Sequence, residues 1–284
     1  MGSLLRYELG SRWRAVIGWG IGLTFFGMVY ISVFPQVEAE MADLADLALY
    51  AAMGIELQSF AAYVGSVVLL FIPLLLGIYA ISNATATLAG EEEGGTLELL
   101  LAKPVSRVEL VLAKAVALAV VLFLILAFAG AGNALVLALV KRGFETEMTG
   151  GQLFRALLAA WPVVFATAMI ALFLAALLPR RRPASLAAAV IFVASYFGEN
   201  ISGMVPSLEP VKPFSLFAYY DSSATAITEG PQAGDAAVLL AVAVVGLALA
   251  MVSFAHRNVT TGAWSFGRNP GPERMPPAGH ASPQ

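Results

Sequence analysis

EEEGGTLELLLAKPVSRVELVLAK, residues Glu91 to Lys114, is the one stretch of this chain that is both polar and closely patterned, and the rest is built around it. Gly94 and Gly95 interrupt whatever helix precedes them. Thr96 is placed to act as an N-cap, and Glu98 then falls in the first turn, where a negative charge suits the helix dipole. Leu97, Leu100 and Leu101 lie at i, i+3 and i+4 and share one face, with Glu98 and Lys103 off that stripe. Lys103 and Pro104 end this short helix. Ser106 and Glu109 have the S-x-x-E spacing of a capping box, which predicts a second helix running through Lys114 into a long apolar segment. The stretch is an amphipathic elbow at a membrane surface. Spacing alone leaves its purpose open, because a docking element and a plain turn between spans need the same pattern.

Composition sets the class. Of 284 residues, 59% are hydrophobic and 12% charged, with mean hydropathy +0.81. An ordinary soluble domain carries roughly a quarter charged residues. The chain is therefore an all-α integral membrane protein, and it lacks the basic footprint of a nucleic-acid binder. Without cysteine it has no disulfide framework, thiol nucleophile or Cys-based metal site.

Hydropathy divides residues 15–259 into six expected spans, at about 15–34, 60–82, 115–140, 156–178, 184–205 and 236–255. Residues 1–14, with Arg6, Arg12, Arg14 and Trp13 among leucines, suit an interfacial helix. Gly18 and Gly22 form a G-x-x-x-G pair that permits close helix packing. The segment 35–58 is acidic and reads as an outer loop, either a short helix on the outer surface, as its Met, Leu and Ala content suggests, or a solvated linker, and Gly65, Pro73 and Gly77 are possible kinks in the second span. Asn133 is suited to an interhelical hydrogen bond in the third span. Arg180, Arg181 and Arg182 between two prolines form a tight basic turn that anchors topology. The fifth span looks short unless it continues past Gly198, and residues 201–235 read as an outer segment that partly re-enters or caps the bundle. From residue 260 to 284 the chain is rich in Gly and Pro and is expected to be a disordered cytoplasmic tail. Placing both termini and the elbow in the cytoplasm puts 12 of the 16 Lys and Arg residues on that side, as the positive-inside rule asks.

No ionisable residue lies well inside the six expected spans, which argues against a self-powered ion-coupled carrier. There is no G-x-x-x-x-G-K-[ST] phosphate loop. Both histidines, His256 and His280, fall outside the spans, so an intramembrane protease has no zinc helix or Ser/His pair to use.

The elbow resembles the loop between the second and third spans of ABC-2 type transporter permeases, whose recurring form is close to E-x-G-T-L-E-x-L-L-x-x-P-V-S-R. Glu93, Gly95, Thr96, Leu97, Glu98, Leu100, Leu101, Pro104, Val105, Ser106 and Arg107 fill it. Lys212–Ser223 is similar to the aromatic S-x-F-x-Y-Y stretch before the family's last span. Phe254 and Arg257 match its closing signature, although Asn258 replaces an Asp. The resemblance implies six transmembrane helices with a cytoplasmic coupling helix between spans 2 and 3. It implies an ABC ATPase subunit as partner, contacted through Glu91, Glu92, Glu93, Glu98, Lys103 and the motif residues above. ATP and magnesium would be held by that partner, with no cofactor in this chain. It further implies a second permease, as homodimer or heterodimer, in the cytoplasmic (inner) membrane. The expected function is ATP-driven export of a hydrophobic, lipid-like or drug-like substrate. The alternative is a non-transporting scaffold or assembly factor that recruits a cytosolic partner. Phe25, Phe26, Phe71, Tyr79, Asn133, Phe192 and Tyr196 are candidates to line a path, although ordinary helix packing accounts for the same residues.

Overall fold

Backbone polar groups in hydrocarbon find no water, so a chain this apolar must satisfy them within its own helices. The computed structural model describes residues 2–45, 59–94, 106–141, 146–204 and 206–256, and among them there is no strand. In chain order the helices are α1 (Gly2–Ala45), α2 (Phe60–Glu93), α3 (Arg107–Val140), α4 (Gly150–Ala159), α5 (Trp161–Leu177), α6 (Arg181–Met204), α7 (Ala224–Glu229) and α8 (Ala233–His256). Five stretches are long and apolar enough to cross a membrane: Leu5–Gln36, Phe60–Glu93, Arg107–Val140, Gly150–Leu177 and Ala233–His256. They coincide with five of the six expected spans. The remaining one, the fifth, expected at 184–205, falls on α6. This helix has 24 residues, enough for roughly 36 Å at 1.5 Å each. It opens on Arg181, Arg182 and Pro183, carries Glu199, and is not one of the five.

The start of the chain differs from expectation. Residues 2–14 are not a separate helix but the first turns of α1, which continues through Pro35 into the acidic outer segment as far as Ala45. Nothing between Arg14 and Ala15 breaks the helix, and extending an existing helix is cheaper than nucleating another. The tight glycines of α1 also differ. Gly18 and Gly22 face open space, whereas Cβ atoms at Gly20 and Gly27 would collide with Phe128 and Asn133 of α3, and one at Gly132 would collide with Thr24. These three positions let α1 and α3 approach closely. Asn133 donates from Nδ2 to the carbonyls of Ala129 at 2.9 Å and, across the seam, Leu23 at 3.4 Å, so it makes the interhelical bond its sequence position predicts.

At the centre is α5, buried along most of its length and packed by α2, α3, α6 and α8. Its partner α4 begins six residues before the expected fourth span and runs into it, so that α4 and α5 together make the stretch Gly150–Leu177. It starts at a capping box between Thr149 and Gln152 and ends before Trp161, where Pro162 opens α5. In α2, a π-helical turn over Gly65–Leu69 precedes Pro73. Pro73 has no N–H to offer the Leu69 carbonyl. The Tyr220 hydroxyl donates to that carbonyl instead, at 2.9 Å. Burial pushes the Tyr220 hydroxyl well above the usual tyrosine range, which keeps it protonated as a donor. Gly77 admits the Phe192 ring, which a Cβ there would strike.

Beyond α6 the chain doubles back. Ser215 Oγ donates to the Ser195 carbonyl at 2.7 Å, and Leu216 N–H donates to Ser195 Oγ at 2.6 Å. Phe217 is buried between Phe192 and Tyr196, with ring centroids 5.4 and 5.3 Å away. The segment read as partly re-entrant thus returns beside α6.

Candidate functional site: the roots of the elbow

Residues 95–105 lie outside the described residues, and with them the expected coupling helix: Gly95, Thr96, Leu97, Glu98, Leu100, Leu101, Lys103 and Pro104. Arg257, Asn258 and the tail 260–284 lie outside as well. What the structure describes are the two roots from which the elbow springs, the end of α2 and the start of α3. The rear root is built by Ser106. Its Oγ accepts the Glu109 N–H at 3.1 Å, and its own N–H donates to Glu109 Oε2 at 3.1 Å, the capping box read from the sequence. Arg107 then reaches α8, donating from Nη1 to the Phe254 carbonyl at 3.2 Å with its guanidinium 5.9 Å from the Phe254 ring centroid.

The front root is held by charge. Lys114 stands about two turns into α3. Leu110, Val111, Ala117, Leu118 and Val121, its neighbours at helical spacing, are all buried, so the helix turns Lys114 inward with them. Its side chain is fully buried, and Nζ donates to Glu91 Oε1 at the end of α2, 2.7 Å away, and to Glu8 Oε1 near the start of α1, 2.9 Å away. Arg12, one turn beyond Glu8, closes the group by donating to Glu8 Oε2 at 2.7 Å. The formal charges of the four side chains cancel, which is the condition for burying an ammonium at all. Arg12 Nη1 and the Tyr79 hydroxyl are buried without a partner among the described residues.

Two further contacts complete the root. Glu93 Oε2 accepts the backbone N–H of Arg181 at 3.2 Å, and Arg181 Nη2 donates to the Ser82 carbonyl at 3.4 Å. The basic turn read as a topology anchor is thus also a contact of α2. Glu92 stands half-buried beside them. All these contacts gather the start of α1, both roots, the α5–α6 turn and the end of α8 at one end of the bundle. That is the arrangement the positive-inside count requires.

Lys114, just outside the third expected span, is buried, and its ion pairs join three helices. Its spacing within the apolar stripe carried that signal, but nothing local pointed to Glu8.

The candidate path residues do not gather in one place. Phe25 and Phe26 border an apolar groove of about 630 Å³ along α1, with Trp19, Tyr30 and Leu75. Phe71 lies 6.5 Å from Phe26 by ring centroids. Tyr79 packs on Trp19 at 5.5 Å. Asn133 is sealed in the α1–α3 seam, and Phe192 and Tyr196 pack on Phe217 away from the groove.

A family model described as ABC-2 family transporter protein matches residues 3–259. The chain belongs to that family. It is a multi-pass membrane subunit of an ABC transporter, a permease and not itself an enzyme. Among curated proteins none matches the sequence. The match takes in the whole of the described chain except Gly2, so the elbow roots of this ABC-2 permease and the buried charges behind them belong to one unit.

Proposed function

We propose that this ABC-2 permease is the membrane subunit of an ATP-driven exporter, working in the cytoplasmic membrane with a second permease and a separate ATPase. Its cargo is hydrophobic, lipid-like or drug-like, in keeping with the apolar groove along α1. The single observation that carries the reading is the fixing of both roots of the elbow. Residues 95–105 are bounded by Glu91 and Glu93, tied to α1, α3 and α6, and by Arg107, tied to α8. A push that reaches Glu93 or Arg107 from a nucleotide-driven partner is therefore passed on to α1, α3, α6 and α8. Rigid elements joined in this way transmit displacement to a path between two permeases.

The test is purification of the complex from the native membrane, with the intact chain and with Thr96–Lys103 replaced by a Gly/Ser linker. The expected result is an ATPase that co-purifies with the intact chain and hydrolyses ATP faster in its presence, and that is lost with the linker while membrane insertion is unchanged. Absence of any ATPase from the intact complex refutes the exporter reading. An ATPase that binds but gains no activity favours the scaffold alternative.

A further inference from the structure

The far end of the bundle contains a feature that coupling does not use. Asp235 stands at the start of α8, roughly 30 Å along the helix from Phe254 at the elbow end. Beside it Phe123 of α3, Trp161 of α5, and Tyr219, Tyr220 and Asp221 of the returning segment line a cavity of about 140 Å³. No Lys, Arg or His is among the lining residues.

The polar handles of the aromatic wall are engaged elsewhere. Trp161 Nε1–H donates to the Ala119 carbonyl at 3.0 Å, the Tyr219 hydroxyl to the Pro213 carbonyl at 3.0 Å, and the Tyr220 hydroxyl to the Leu69 carbonyl at 2.9 Å. These bonds fix the rings and leave carbon surface to meet an occupant. Phe165 stacks on Trp161 at 5.0 Å, and Phe123 meets the indole edge to face at 6.5 Å, so the wall is braced from two sides. Against this wall stand two carboxylates. Among the described residues neither Asp221 nor Asp235 pairs with a basic side chain; Asp221 Oδ1 accepts only the Ser223 N–H, at 2.8 Å.

Aromatic surface combined with uncompensated negative charge selects a particular kind of cation. A small metal ion needs six or so oxygen ligands and gains nothing from ring carbons. A primary ammonium would find acceptors on Asp221, Asp235 and the Gln232 amide, but its remaining N–H groups would face ring carbon and lose their water. An ammonium whose charge is spread over methyl groups suits both features, because the methyls pack on the rings while the charge meets the π density and the carboxylates. The volume, equal to roughly four or five waters, admits a compact head group and not a whole drug-sized ligand. We propose that this cavity binds a quaternary ammonium head of the choline type, with Asp221 and Asp235 supplying the counter-charge.

Such a head comes either from a phosphatidylcholine lipid or from a free quaternary amine. The full chain is reconstituted in nanodiscs of phosphatidylglycerol, and choline binding is followed by saturation-transfer NMR. Saturable binding is expected, about tenfold weaker or worse in D221N/D235N and in Tyr219→Leu. Asp221→Asn keeps an oxygen for the Ser223 N–H, and Tyr219→Leu removes ring surface without touching charge, so the two variants test the site independently. In nanodiscs of phosphatidylcholine, loss of choline binding identifies the lipid head as occupant, and retention identifies the free amine. No saturable binding in phosphatidylglycerol, or equal binding by wild type and both variants, overturns the proposal. Neither result depends on whether an ATPase is recovered with the elbow.

Discussion

Lys114→Met replaces the buried ammonium by an apolar side chain of similar length, and its cost follows from what remains. Lys114 has no exposed side-chain surface, whereas its partners Glu8 and Glu91 are 7% and 25% exposed. Glu8 keeps Arg12 at 2.7 Å, so the main penalty falls on the Glu91 carboxylate and on the Glu8 oxygen that faced Nζ. Removing one partner of a buried pair costs about 3–5 kcal/mol, and the lower end applies here because Glu91 is partly solvated and Glu8 stays paired. At about 2–4 °C per kcal/mol for a chain of this size, a loss of about 3 kcal/mol lowers Tm by roughly 6–12 °C. The measurement is thermal unfolding of the full chain in nanodiscs at a fixed scan rate, followed by far-UV circular dichroism. Lys114→Met combined with Glu91→Gln should recover part of the loss, because the two positions are coupled and the uncompensated charge is gone. Arg14→Met, on an exposed turn of the same α1, should move Tm little. A Tm for Lys114→Met within about 1 °C of wild type, or a double variant no better than the sum of its parts, would refute the reasoning.

Two further outcomes test the packing. Gly65→Ala sets a Cβ against the Ser222 backbone carbonyl and should destabilise by about 1–3 kcal/mol, while Gly18→Ala, which meets nothing, should be neutral or slightly stabilising in the same melts. Tyr220→Phe leaves the Leu69 carbonyl without its donor beside Pro73 and should cost about 1–3 kcal/mol; hydrogen exchange along Gly65–Leu69 should rise with it, and unchanged exchange there would count against the role given to the hydroxyl.

Much of the fold was legible because its signals are local. The apolar runs matched five membrane-length helices, and the S-x-x-E spacing at Ser106 yielded both halves of the capping box. Asn133 was read correctly as a link between helices, since an amide in hydrocarbon needs an acceptor from a neighbour. The glycines were read less well. Gly18 and Gly22 have the familiar spacing, yet Gly20 and Gly27 make the contact, because the rotation of α1 against α3 decides which face is inward. The break expected after Arg14 was absent because polarity changes there without any residue that stops a helix.

By itself the sequence determined the membrane class, the order and approximate limits of the spans, and the polar elbow between the second and third. Transfer of each residue from water to hydrocarbon and the capping of each helix are properties of short segments, and they survive being read one segment at a time. Only the tertiary structure decided that Lys114 is buried, that Glu8 lies beside it from the other end of the numbering, and that the segment after α6 returns so that Tyr219 and Tyr220 line one cavity with Trp161. Those outcomes depend on the relative depth and rotation of helices far apart in the chain. A lysine's burial is tolerable only when opposite charge arrives from elsewhere in the fold.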